Sequence, residues 1–191
     1  MFNGYPFEYW LTTIILLGLV ALAVAGSIIA AFNSSIKMQD ELNKQLPLLL
    51  ENPEIVVAKN RFEHNLIFGS YKGKSVSLEW WMPLGRQVHY NLLIRIKNVS
   101  LERIIIDSWT IDKIRRELPT NLSEVVLSKW KELCQLDHVY EIRSEGSELA
   151  ILIHRYYLGQ VLPSFESASR EFRDTECVRN VLAAAIKIIN G

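Results

Sequence analysis

The sequence predicts an α+β domain carried on an N-terminal transmembrane helix. Three observations predict it: an uncharged apolar run over residues 10–32, period-two alternation through residues 75–82 and 88–97, and apolar faces at helical spacing further on. Strands first and helices later indicate a small antiparallel sheet of three to five strands, covered by C-terminal helices. The expected organisation is a short extracytoplasmic tail (1–9), the transmembrane helix (10–32), a helical connector (33–53) and a soluble α+β domain (54–191).

The apolar run comes first. At about 1.5 Å of rise per residue it forms a helix of about 34 Å, enough to cross a hydrocarbon core of about 30 Å. A cleaved signal peptide is the competing reading, and Ala23-Val24-Ala25 offers a cleavage site. Against it, no Lys or Arg precedes the run, and the run continues past that site. A buried core helix of this length and uniform apolarity is rarer still. Tyr5, Phe7, Tyr9 and Trp10 cluster at one end and Phe32 marks the other, as aromatic rings do at headgroup level. Basic residues appear only afterwards, at Lys37, Lys44, Lys59 and Arg61, so the positive-inside rule places the domain in the cytoplasm. The sequons at Asn33, Asn98 and Asn121 would then stay silent. Ala23, Gly26, Ser27 and Ala30 share one helical face, where small side chains let a second helix approach; Ala and Gly are also simply common in spans.

In the connector, Pro47 should break the helix, and Leu46, Leu48, Leu49 and Leu50 should pack under the domain, because no basic face suits them to a membrane surface. Residues 66–71 read as a strand turning at Lys72-Gly73. Val76, Leu78, Trp80 and Met82 alternate with Ser75, Ser77, Glu79 and Trp81. After a turn at Pro83-Leu84-Gly85-Arg86, Val88, Tyr90, Leu92, Ile94 and Ile96 alternate with His89, Asn91, Leu93, Arg95 and Lys97. These two strands form a hairpin with one buried face. Residues 102–106 add a short β-branched run. Asn121-Leu122-Ser123-Glu124 opens a helix with Leu122, Val125, Val126, Trp130 and Leu133 on its apolar face. Residues 139–143 return as a strand. Residues 144–162 read as a buried helix ended by Pro163, and a last helix starts near Asp174 or Thr175.

The order of membrane helix, polar connector, the hairpin Gly69-Ser70-Tyr71-Lys72-Gly73-Lys74-Ser75-Val76 and a helix-rich tail resembles uncharacterised bacterial membrane-anchored α+β domains. Leu136-Asp137-His138-Val139-Tyr140-Glu141-Ile142 sits where those domains carry Phe-Asp before a strand, with Leu here in place of Phe. The resemblance spans roughly residues 60 to 160 and implies no activity.

Composition excludes some functions. The chain of 191 residues carries 21 basic and 21 acidic side chains, so no long-range field attracts nucleic acid. Two cysteines, Cys134 and Cys177, exclude a disulfide-dense scaffold and leave one bridge open if the domain faces an oxidising compartment. His64, His89, His138 and His154 are scattered, and Cys134 with His138 lacks the further ligands of a zinc site. Cys177, in the first turn of the last helix, is a nucleophile candidate, with His154 or His138 as its base; small cysteines so placed are more often packing residues. Asp107 and Asp112 bracket Trp109, and Glu141 sits on a strand, as solvated or capping acids do. Lys113, Arg115 and Arg116 form a basic cluster that suits acidic headgroups or a solvated helix face.

No catalytic, cofactor-binding or metal site is therefore expected, and no cofactor. One patch stands out. If Trp80 faces the core, Trp81 points away with His89, Leu93 and Tyr71, either beneath a C-terminal helix, the favoured arrangement, or open to a partner. The function expected is a single-pass membrane protein presenting a cytoplasmic interaction or assembly domain. Its partners would be the bilayer and a protein, or a second copy joined through the membrane helix. The alternative is a membrane-associated enzyme, such as a hydrolase, with an unrecognised active site.

Overall fold

The computed structural model describes residues 7–56, 64–81, 89–136, 138–156 and 175–191, with the side chains at 30–39, 41, 89, 90 and 154–156 left aside. The expectations for Lys59, Arg61, Asp137, the turn at 83–86 and Pro163 lie outside these residues.

Helix α1 runs Phe7–Gln45, 39 residues without interruption. Its first part, Phe7–Ile29, has a mean hydropathy of 2.4 and none of its apolar window is buried, so it is long and apolar enough to cross a membrane. The hydroxyls of Thr12, Thr13 and Ser27 donate to the carbonyls of Glu8, Tyr9 and Ala23 one turn back, which satisfies them inside the helix. The helix ends where Pro47 enters a 3-10 turn, Leu46–Leu49. Leu42, Leu46, Leu49 and Leu50 are buried in the domain core, whereas Leu48 is 83% exposed. The packed unit thus begins upstream of residue 54.

The sheet has seven strands, not three to five: β1 Glu51–Val56, β2 Asn65–Tyr71, β3 Lys74–Trp81, β4 His89–Lys97, β5 Ile104–Ile106, β6 Val139–Ser144 and β7 Glu148–Tyr156. Their spatial order is β1-β2-β3-β4-β7-β6-β5, and every neighbouring pair is antiparallel. β3 and β4 pair as the expected hairpin, with Leu78 opposite Ile94 and Trp80 opposite Leu92. Lys72 and Gly73 take φ of +49° and +75° in the β2–β3 turn.

Two strands escape the sequence reading. β1 carries Pro53, Asn52 at φ +50° and a register shift between Glu51 and Glu54, all its residues exposed, so no alternation marks it. An edge strand tolerates this, because one of its sides needs no partner. β7 replaces the helix expected over 144–162. Glu145 N–H donates to Glu148 O at 3.0 Å, and Gly146 takes φ +88°, which closes a hairpin from β6. Leu149, Ile151 and Ile153 face the core, but Ala150 and Leu152 on the other side are apolar too. Without polar residues between them the period of two is hidden.

Helices α2 Ser108–Arg115, α3 Glu124–Gln135 and α4 Thr175–Asn190 cover one face of the sheet. α2 packs beside β6, α4 lies between α3 and the turn that ends α1, and that turn sits on β1 and β2. Trp80, Leu92, Ile94 and Ile151 from the sheet meet Ile111, Trp130, Leu133, Val181 and Leu182 from the helices, all at most 1% exposed. Asp107 caps α2 by accepting from Thr110 N–H at 2.8 Å, and the Thr110 side-chain hydroxyl together with this N–H holds its carboxyl below its ordinary pKa. Ser123 caps α3 through Val126 N–H.

Gly69 lies where the chain leaving α1 crosses β2. A Cβ there would stand 2.8 Å from Leu50 Cβ and 3.0 Å from Glu51 O. Gly69→Ala is expected to cost about 2 kcal/mol by overpacking, read as a lower urea midpoint with an unchanged slope.

Candidate functional site

Because side chains alternate along each strand, the face opposite the helices is built from the outward positions of the same strands. Register sets two rows across it. Glu79, Leu93, Leu152 and Glu141 form one; Ser77, Arg95, Ala150 and Arg143 form the next. Trp81 lies at one end and Glu148 and Glu145 at the other. All of these except Glu79 and Ser77 line a shallow groove of about 240 Å³, with Leu93, Leu152 and Ala150 as its apolar floor.

Charges frame this floor. Arg95 donates to Glu148 at 3.0 Å and stands 3.7 Å from Glu79, whose carboxylate also meets the His64 imidazole. The His64 ring stacks on Trp81, centroids 4.6 Å apart and planes at 12°. Arg143 donates to Glu141 at 2.8 Å. A ladder therefore runs from His64 through Glu79 and Arg95 to Glu148, fixing side chains across β3, β4 and β7.

Trp81 and Leu93 are thus where the sequence places them, on one face. Tyr71 is not with them: it shares the side of β2 that carries Ile67 and Gly69, and packs against the core. The side chain of His89 lies outside the described residues. The expected cover by a C-terminal helix is not found among the described residues. α4 buries Val178, Val181 and Leu182 on the opposite side of the sheet, and among the described residues no helix packs on the Trp81 face.

The remaining candidates separate. Cys134 is buried in α3, and burial pushes its thiol up to about 11 against the pull of nearby Arg115. Cys177 lies in the first turn of α4; of its two candidate bases, His138 precedes β6 with φ +70°, and the side chain of His154 lies outside the described residues. Neither cysteine forms a disulfide. Among the described residues no three His, Cys, Asp or Glu side chains gather as metal ligands. The expected result of thiol labelling on the folded protein near pH 8 is fast modification of Cys177 alone, with Cys134 reacting only after denaturation.

The basic cluster dissolves into three roles. Lys113 Nζ lies 5.3 Å over the ring of Trp109, which is 68% exposed. Arg116 faces solvent. Arg115 turns inward and donates to the carbonyls of Cys134 (2.9 Å), Leu136 (2.6 Å) and Val139 (2.9 Å), tying the α3–β6 connection to α2. On α1, Gly26 has open space around it and Ser27 bonds back to Ala23; the Ala30 side chain lies outside the described residues.

Sequence reasoning missed His64, Glu79, Arg95, Arg143, Glu148 and Leu152 as members of one surface. The signal for Arg95 was present in its alternation with Ile94 and Ile96. For Leu152 it was lost with β7. Comparison of the chain with protein-family models, curated proteins and solved structures finds no match.

Proposed function

We propose that this chain is a single-pass membrane protein whose α+β domain docks a protein partner on the open face of its sheet, at the cytoplasmic side. The observation that carries the reading is the Trp81–Leu93–Leu152 floor, half-buried within a frame of ion pairs and left uncovered by α2, α3 and α4. Apolar centres with polar rims are the anatomy of protein interfaces. Orientation rests on Lys37, Lys44, Lys59 and Arg61, which follow the apolar run with no basic residue before it. The small-residue face of Ala23, Gly26, Ser27 and Ala30 adds a second contact, between membrane helices.

Photo-cross-linking in native membranes tests the docking face. A photoreactive side chain at Leu93 or at Leu152 is expected to give a discrete higher-mass adduct. One at Val125, 76% exposed on α3 and on the helical layer, should give none. Equal adducts at all three positions, or none at Leu93 and Leu152, would overturn the reading.

A further inference from the structure

We draw no further inference here: the strongest candidate, the outer edge of the sheet at β5, where Ile105 is 64% exposed, is an unpartnered apolar edge and nothing in the structure shows what covers it.

Discussion

A chain shortened to begin at Asn52 will fail to fold, whereas one beginning at Asp40 will unfold cooperatively as a domain. The reason is that Leu42, Leu46, Leu49 and Leu50, all upstream of Asn52, are at most 8% exposed and belong to the same core as Trp80 and Trp130. Emptying one buried leucine site costs about 2–5 kcal/mol. Four such losses, about 8–20 kcal/mol together, are of the size of the whole stability of about 5–15 kcal/mol expected of a domain. Circular dichroism with urea titration of the two chains distinguishes the outcomes. A sigmoidal transition from the Asn52 chain would refute the prediction. Leu46→Ala in the full chain, at about 3 kcal/mol, is the single-residue version. A soluble form for binding studies must accordingly keep the end of α1.

The second large effect belongs to Arg115. Arg115→Ala is expected to cost about 3 kcal/mol, because it strips a charged donor from three carbonyls in the α3–β6 connection at once. Arg115→Lys should recover only part of this. A single ammonium on a flexible stem cannot reproduce the fork that reaches Cys134, Leu136 and Val139 together. Denaturant midpoints of the three proteins decide it. A lysine variant as stable as the parent would show that charge alone, and not the fork, holds the connection. The same substitution also bears on Cys134, whose carbonyl accepts from Arg115 Nε. In the alanine variant its thiol should become modifiable under native conditions.

The helices α3 and α4 and the hairpin of β3 and β4 were legible because each places apolar residues on one side and polar residues on the other. Trp130 and Leu133 obey the helical period, and Leu92, Ile94 and Ile96 obey the period of two. The misses share one physical cause. β7 sits inside the sheet between β4 and β6 with Ala150 and Leu152 on its outer side, so its two faces are alike in hydropathy and no period survives. β1 fails in the opposite way, exposed throughout and interrupted by Pro53. Of the candidate patch, Trp81 and Leu93 were legible from alternation within single strands. Tyr71 was misassigned because its side depends on the pairing of β2 with β3, where it stands opposite Lys74 and in step with Gly69. Arg115 gave no local signal at all. Its neighbours Lys113 and Arg116 are equally basic, and only the return of the chain at residues 134–139 separates them.

The unbroken α1 also sets a mechanical relation. Once its apolar part is seated in a bilayer, the residues from Ile29 to Gln45 form a strut of about 24 Å rather than a tether. A flexible linker of equal residue count would let the domain sweep a hemisphere and present its sheet in every direction. A strut whose last turn is cemented into the core by Leu42 and Leu46 gives the groove one elevation and one bearing relative to the helix. Each residue added to the strut would lift the groove by about 1.5 Å and swing it by about 100°. For the docking proposed above, encounter with a partner held in the same membrane would then be a matter of matching heights and angles in a plane, set by the length of a single helix.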